Sequence, residues 1–217
     1  MEAVYGSPRT IPIKRIDGLP LDDCVPRYAV EEALGRLSNI SLYTGAIKLA
    51  DFGCAFSADK PPREIDFFGP YIVPEQYCTG KIGSPLDIWT LGCAIYLLLA
   101  GRDLFGIPDD STGMVLSKMT DMLGEPPEHI LQSWNTRVSK DLQVSKTPSR
   151  PLSVRVQEMR DGNEALRMRD RRHEFSDLDL TLLTDFLGSM LKYEPSERLT
   201  IEGVLQHPCM AFFEADS

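Results

Sequence analysis

The sequence predicts a mainly α protein with at most one or two short strands. Three observations support this prediction: a long apolar helix signal at 84–101, two amphipathic segments at 112–123 and 177–191, and a scarcity of alternating strand patterns. With 217 residues and 42% hydrophobic content, the chain is long enough to bury one sizeable core. We therefore expect one domain, or part of a larger one.

The charge balance and the cysteines limit the class of protein. The 32 acidic and 23 basic residues leave a net charge of -9, which argues against a nucleic-acid-binding surface and is compatible with basic protein partners. The five cysteines lack C-x-x-C spacing, so we expect free thiols in a reducing compartment. The first ten residues are polar, and no apolar run is long enough to span a bilayer. These features predict an intracellular protein, cytoplasmic or nuclear, without a membrane partner.

Residues 1–45 are predicted to be an irregular but ordered connector. Prolines and glycines are dense among the first 26 residues, and this density breaks a helix or a central strand. The segment 30–37 is compatible with a short helix. The segment 47–50 alternates weakly and is followed by Asp51-Phe52-Gly53, which predicts a short strand that ends in a turn.

The next predicted elements are a surface loop, a short helix and the apolar helix. Residues 54–72 are polar and rich in turn residues, and a proline opens the short helix at 73–77. The long helix is predicted to begin at Ser84-Pro85 and to end at Gly101. Its residues are apolar on nearly every face, so we expect it to lie inside the protein. Asp87 would then be a buried carboxylate, compensated by the helix N-terminus and by donors from other segments.

The rest of the chain is predicted to form further helices around a charged segment. Apolar spacing predicts the amphipathic helices at 112–123 and 177–191, the second capped by Ser176 or Asp177. A last helix is predicted from Thr200 to Leu205. Residues 136–173 are polar and charged, which indicates a solvated insertion or an irregular helix, with an anion site among the arginines as the alternative.

Four short motifs follow one another along the chain. Asp51-Phe52-Gly53 places a carboxylate beside a flexible glycine, which suits a Mg²⁺ ion held against phosphates, although a β turn explains the same residues. Val73-Pro74-Glu75, the helix start from Asp87 to Gly92 and Arg198 come later. In protein kinases, D-F-G is followed by A-P-E. The family pattern continues with D-x-W-x-x-G and a late arginine. Each match alone is weak, but their common order makes a strong signal.

With these motifs, the chain resembles the C-terminal lobe of a eukaryotic protein kinase from about residue 45 to 213. The segments 101–105 and 122–127 resemble the branch that contains cyclin-dependent, MAP and SR-protein kinases. The segments 15–20 and 70–75 look most like fungal SR-protein-kinase-like serine/threonine kinases.

The resemblance implies a division of the chain into a connector at 1–45, a partial kinase domain at 46–213 and a tail at 214–217. Too few residues precede the kinase-like part to build the N-terminal lobe of the family. We therefore expect that lobe to be absent, and the chain to be truncated before the D-F-G segment.

The resemblance also implies a cofactor-binding turn. Asp51 would bind Mg-ATP through the metal, Phe52 would pack beneath it, and Gly53 would complete the turn. Ala94 and Leu98, on the same helix face as Asp87, would pack toward the nucleotide.

A second implied set of residues is structural. Glu75 would form a buried ion pair with Arg198, and Trp89 belongs to the same set. Asp87 would receive backbone N–H groups from the catalytic loop. For these residues the expected role is architectural rather than chemical.

Several kinase motifs are missing from the 217 residues. No Gly-rich phosphate loop, V-A-I-K-like lysine or H-R-D catalytic loop is found. All three histidines follow Asp51, whereas the catalytic loop should precede it. Ser57 is the only hydroxyl residue between Cys54 and Pro70, so phosphorylation of this loop is not expected to regulate the protein. No catalytic base is assigned.

The sequence therefore predicts a partial ATP-dependent serine/threonine kinase domain that is inactive as an isolated chain, in the manner of a fragment or a pseudokinase. Mg²⁺ and ATP are implied by the family, but their binding by this chain is doubtful. The alternative is a non-catalytic, kinase-derived module that binds basic peptides or Ser/Arg-rich proteins.

Overall fold

A computed structural model of the chain describes residues 9–30, 49–63, 65, 71–78, 82–105, 112–137, 150–162 and 175–211. The chain divides into two units, Met1–Gly53 and Cys54–Ser217. The described residues are mainly helical, with two short strands, as the sequence predicted. The short helix predicted at 30–37 is not supported at Val30, which belongs to a strand. The other residues of that segment lie outside the described residues.

The first unit contains a two-stranded antiparallel sheet. Strand β1 (Thr10–Pro12) pairs with strand β2 (Tyr28–Val30), in a register that places Thr10 opposite Val30. Both strands are exposed. Proline is tolerated at the end of β1 because each strand of a two-stranded sheet is an edge.

The position of these strands corrects the sequence analysis. The proline-rich segment predicted to be irregular contains both strands, because its prolines exclude a central strand but not an edge strand. The strand predicted at 47–50 is not supported at Leu49 and Ala50, which have no regular structure, and its first two residues lie outside the described residues.

The second unit is built from helices. They are α1 (Pro74–Cys78), α2 (Pro85–Ala100), α3 (Thr112–Leu123), α4 (Glu128–Arg137), α5 (Leu152–Gly162), α6 (Asp177–Met190) and α7 (Ile201–Gln206). Short 3-10 turns occur at Phe52–Cys54, where the first unit ends along the chain, and at Pro195–Glu197 within the second unit. Helix α2 packs against α5, α6 and the second of these turns, while α1 packs against α4 and α5 against α6. None of the described helices is long and apolar enough to cross a membrane.

Helix α2 forms where the sequence predicted it. Its C-cap is Gly101, which has a φ of 66° and donates its N–H to the Leu97 carbonyl at 2.8 Å. A left-handed backbone of this kind is why a glycine ends the helix. At Gly92, an added Cβ would lie 3.3 Å from Leu191 Cδ2, so this glycine allows the end of α6 to approach α2 closely.

The prediction that α2 is buried on nearly every face is wrong for one stripe of the helix. Leu86, Ile88, Trp89, Cys93 and Tyr96 are buried. Leu91 is exposed, and Leu98 is 73% exposed. The hydrophobicity of the sequence therefore overestimates how much of this helix lies in the core.

The caps of α6 and α7 agree with the sequence prediction. The Ser176 hydroxyl accepts the N–H of Asp179, and the Asp179 carboxylate accepts the N–H of Ser176, which makes a capping box. The Thr200 hydroxyl accepts the N–H of Gly203 at the start of α7. Such caps satisfy backbone donors that have no partner within the helix.

Two regular helices are additional to the sequence prediction. Helix α5 lies inside the charged segment predicted to be a solvated insertion or an irregular helix, yet Leu152, Val156 and Met159 are buried along it. Their i, i+4, i+7 spacing places them on one face. In α4, the buried residues Ile130 and Trp134 are four positions apart and also lie on one face. Only two or three buried residues carry the pattern in each helix, so the periodic signal in the sequence is weak.

The four cysteines whose side chains the structure describes agree with the expected free thiols. Cys24 and Cys54 are exposed, Cys93 and Cys209 are buried, and all four are free. Burial raises the pKa of Cys93 to about 12 and that of Cys209 to about 11. The two buried thiols therefore stay protonated at neutral pH and are poor nucleophiles.

This difference predicts selective alkylation. In the native protein at mildly alkaline pH, iodoacetamide should label Cys24 and Cys54 at least ~100-fold faster than Cys93 and Cys209, because the thiolate is the reactive form. Peptide mass spectrometry resolves each site. Labelling in denaturant is the control, in which all four should react at similar rates. Rapid labelling of Cys93 in the native protein would contradict its burial.

Candidate functional site

A buried ion pair joins Glu75 of α1 to Arg198, which lies 123 residues later in the chain. Arg198 Nη1 donates to Glu75 Oε1 at 2.8 Å, and Arg198 Nη2 donates to Glu75 Oε2 at 2.6 Å. Both side chains are almost completely inaccessible to solvent. Two parallel N–H···O bonds between a guanidinium and a carboxylate are the strongest geometry for such a pair.

Arg198 also donates two hydrogen bonds to backbone carbonyls. Nη1 also donates to the carbonyl of Pro85 at 2.9 Å, and Nε donates to the carbonyl of Lys192 at 2.9 Å. These bonds matter because a buried charge is tolerated only when it is both paired and hydrogen-bonded. Arg198 thus ties together α1, the first residue of α2 and the segment that follows α6.

Trp89 of α2 lies against this pair. The Arg198 guanidinium carbon is 5.0 Å from the centroid of the Trp89 ring, which is a cation–π distance. The indole Nε1 donates to the carbonyl of Ile72 at 3.0 Å, and the ring stacks on Phe105 at 5.6 Å with an interplanar angle of 8°. The structure therefore brings together three of the four predicted structural residues: Glu75, Trp89 and Arg198.

The fourth, Asp87, is in a different environment from the one predicted. It is exposed in the first turn of α2, so water can solvate the carboxylate, and no buried donors are needed. Leu91 and Leu98, which lie four and eleven residues further along the helix, are exposed as well. Ala94 is only partly buried. Asp87 therefore lies on the exposed stripe of α2, since the apolar pattern alone does not reveal which face has a neighbour.

This correction leads to a prediction for stability. Asp87→Asn should lower the free energy of unfolding by less than about 1 kcal/mol, the value of an exposed charge at a helix N-terminus. Urea denaturation measures the difference, and added salt should reduce it further because exposed charges are screened. A loss of more than about 2 kcal/mol would instead indicate a desolvated carboxylate held by buried donors.

The predicted cofactor turn lies at the end of the first unit. Asp51 has a left-handed backbone with a φ of 64°, which aspartate tolerates better than most residues. Asp51, Phe52 and Gly53 are all exposed, and the Phe52 side chain is 67% exposed. No described residue covers the Phe52 ring closely, and its expected packing beneath Asp51 stays a prediction.

Asp51 does not form a magnesium site with other described residues. In the described ranges, no group of three or more His, Cys, Asp or Glu side chains is placed to hold a metal ion. Mg²⁺ requires near-octahedral oxygen coordination, of which one carboxylate supplies a small part. Asp51 therefore stays a single candidate ligand, and no step of phosphate transfer follows from the described residues.

Sequence reasoning identified the charged and aromatic members of the structural cluster but missed their backbone partners. The carbonyls of Ile72, Pro85 and Lys192 accept hydrogen bonds from Trp89 or Arg198. A backbone acceptor has no residue-type signature, so no pattern in the sequence could have revealed these partners.

Taken together, the fold and this cluster define a class of protein. A short helix carries a glutamate, a long apolar helix carries a tryptophan, and an arginine after a later helix joins them. This is the helical lobe of a protein-kinase-like fold.

Comparison with known proteins identifies the family directly. Residues 36–210 match the protein kinase domain model, so the chain belongs to the protein kinase family. Its relatives include dual specificity protein kinase CLK1 of Mus musculus, 28% identical over 167 residues that make up 75% of this chain and 32% of the relative. Mitogen-activated protein kinase mpkC of Aspergillus niger is 27% identical over 168 residues, 77% of this chain and 37% of the relative.

A third relative is serine/threonine-protein kinase AFC3 of Arabidopsis thaliana, which is 28% identical over 175 residues, 80% of this chain and 42% of the relative. The aligned part of the chain thus spans roughly a third to two fifths of the length of these three kinases. A MAP kinase among them agrees with the branch that the sequence resembles.

Proposed function

We propose that this chain is the helical part of a serine/threonine protein kinase domain and transfers no phosphate by itself. The observation that supports this most strongly is a contrast within the chain. Glu75, Trp89 and Arg198 form a buried cluster joined by two hydrogen bonds and a cation–π contact, whereas Asp51 is exposed and has no group of metal ligands around it in the described residues.

The chemistry of phosphate transfer explains why this contrast matters. Kinases accelerate the reaction by positioning and by electrostatic stabilisation, which need a phosphate-covering loop, a lysine, metal ligands and a base for the attacking hydroxyl. Mg²⁺ and ATP would supply the metal and the phosphoryl group. Of these protein groups, this sequence contains only a counterpart of one metal ligand, Asp51. It has no Gly-rich loop and no V-A-I-K-like lysine, and no His-x-Asp precedes Asp51. A single ligand cannot orient the reactants.

A phosphorylation assay tests the proposal. The full chain, with radiolabelled Mg-ATP and a peptide of alternating serine and arginine, should incorporate label only at background. Asp51→Asn is the matched variant and should be indistinguishable from the unaltered chain, while a complete kinase is the positive control. Turnover above background that disappears in Asp51→Asn would overturn the proposal and identify Asp51 as a working metal ligand.

A second candidate function is a non-catalytic module that binds basic, Ser/Arg-rich peptides or proteins. The net charge of -9 favours it, because an acidic protein attracts arginine-rich segments. Fluorescence anisotropy with a labelled Ser/Arg peptide should show binding that weakens as salt rises. An acidic peptide of equal length is the control. If the two peptides bind equally, or if neither binds at low salt, this candidate is excluded.

Within the family, we place the chain nearest to the SR-protein-kinase-like kinases, in an intracellular compartment. The similarity to CLK1 and AFC3 and the segments noted in the sequence support the first part. The exposed free thiols of Cys24 and Cys54 support the second part, since such thiols persist in reducing compartments.

A further inference from the structure

The turn after α2 and the start of α5 bring three arginines close to one carboxylate. Arg102 Nη2 donates to Glu158 Oε2 at 2.7 Å, and Arg150 Nη2 donates to the same oxygen. Arg155 lies one turn before Glu158 on α5. We call Arg102, Arg150 and Arg155 the arginine cluster. It has three positive charges, and Glu158 is its acidic partner in the ion pairs of the described residues.

In the arginine cluster, backbone hydrogen bonds hold the side chain of Arg155, whereas the side chains of Arg102 and Arg150 are accessible to solvent. Arg155 Nη1 donates to the carbonyl of Leu104 at 2.8 Å, and its Nε donates to the carbonyl of Arg150 at 3.2 Å. The backbone N–H of Arg150 donates to the carbonyl of Asp121. The side chains of Arg102 and Arg150 are 50% and 49% exposed. A ligand from solvent can therefore reach the guanidinium groups of Arg102 and Arg150, which Glu158 holds side by side.

The charges in the arginine cluster are not balanced. The pKa of Arg155 is lowered, first because the side chain is partly buried and further because Arg150 and Arg102 repel its charge. The hydroxyl of Tyr96, a residue of α2, is buried and has no well-formed hydrogen bond to the described residues. Its interaction with the Arg102 guanidinium is the first cause that raises the pKa of Arg102, and the pairing with Glu158 comes after it. Positive charge is thus in excess where the three arginines meet.

We propose that the arginine cluster binds a phosphomonoester carried by a phosphorylated serine or threonine of a partner protein. Phosphate oxygens would replace the Glu158 carboxylate between Arg102 and Arg150. The Glu158 carboxylate already marks an oxyanion position there. Guanidinium groups match phosphate oxygens in geometry. The three arginines and Glu158 together leave an excess of two positive charges, which a phosphate dianion offsets.

The overall charge of the chain favours this occupant over a polyanion. With a net charge of -9, the protein repels a nucleic acid or an anionic lipid surface. A single phosphate group on a neutral or basic segment brings little further repulsion. This inference goes beyond the proposed function and does not depend on it.

Isothermal titration with the full chain tests the proposal. The probes are a phosphoserine peptide, the same peptide without phosphate, and inorganic phosphate. Removal of the phosphate should weaken binding at least ~10-fold, and Arg102→Gln or Arg150→Gln should weaken phosphopeptide binding by a similar factor. Glu158→Gln should tighten binding about 3- to 10-fold, because it removes the competing carboxylate. Arg160→Gln, which removes a charge from α5 at an exposed pair with Asp177, is the matched control and should change binding little.

Several outcomes would overturn the proposal. If the cluster is only structural, Glu158→Gln lowers the melting temperature and does not tighten phosphopeptide binding. Equal affinity for inorganic phosphate and the phosphopeptide would mean a site for free phosphate, and binding to anionic vesicles instead of the peptide would mean a lipid site. Should Glu158→Gln fail to fold, Arg102→Lys replaces it. This variant keeps the charge but loses the forked geometry, so unchanged phosphopeptide affinity in a folded Arg102→Lys protein would also contradict the proposal.

Discussion

Arg198→Ala is expected to lower the free energy of unfolding by about 3 to 5 kcal/mol, and Glu75→Gln by a similar amount. Each change leaves one buried charge without its partner, in a place where neither side chain reaches water. Arg198→Ala also leaves the carbonyls of Pro85 and Lys192 without their donor. Because whole domains are stable by only about 5 to 15 kcal/mol, urea denaturation should show a large shift of the midpoint or a protein that is partly unfolded in water.

Two control variants separate the loss of a charge from the loss of a buried partner. Arg160→Ala removes an arginine from an exposed pair and should cost less than about 1 kcal/mol. The double replacement of Glu75 and Arg198 by methionine should cost much less than the sum of the two single changes, since it leaves no unpaired charge. A small loss in Arg198→Ala, comparable to that in Arg160→Ala, would contradict the buried pair.

Trp89→Ala should also be among the most destabilising single changes, at about 3 to 5 kcal/mol. The substitution removes a fully buried indole, its hydrogen bond to the Ile72 carbonyl, its stack on Phe105 and its cation–π contact with Arg198. The cavity left behind borders Phe105 and the Arg198 guanidinium. Urea denaturation followed by circular dichroism measures the loss without relying on tryptophan fluorescence.

The same helix offers matched controls for Trp89. Leu98→Ala truncates a large apolar side chain that is 73% exposed and should change the stability by less than about 0.5 kcal/mol. Trp89→Phe keeps a ring against Phe105 but leaves the Ile72 carbonyl unpaired, so an intermediate loss of about 1 to 3 kcal/mol is expected. If Leu98→Ala and Trp89→Ala were equally costly, the assignment of buried and exposed faces on α2 would be wrong.

Local signals account for most of what the sequence predicted correctly. The positions of α1, α2, α3, α6 and α7 follow from prolines at helix starts, caps at Ser176 and Thr200, a left-handed glycine at 101 and apolar spacing. These signals act within one or two helical turns. Helices α4 and α5 were not anticipated as regular elements, because each buries only a few apolar residues.

The pairing of motif residues in the candidate site was predicted correctly. The solvent exposure of single motif residues was not. Glu75 and Arg198 form the buried ion pair that the resemblance to protein kinases implied. Asp87 was expected to be buried, yet it is exposed, and the Phe52 side chain is exposed as well, since exposure depends on residues distant in the sequence.

By itself, the sequence determined the class of fold, the main helices and three members of the buried cluster, Glu75, Trp89 and Arg198. The tertiary structure alone decided which stripe of α2 is exposed, which carbonyls complete the bonding of Arg198, and how three arginines come to surround Glu158. The physical reason is the separation along the chain of the residues that decide each property. Backbone conformation and caps respond to neighbouring residues, whereas burial and the balance of charges at one point are sums over segments that only folding brings together.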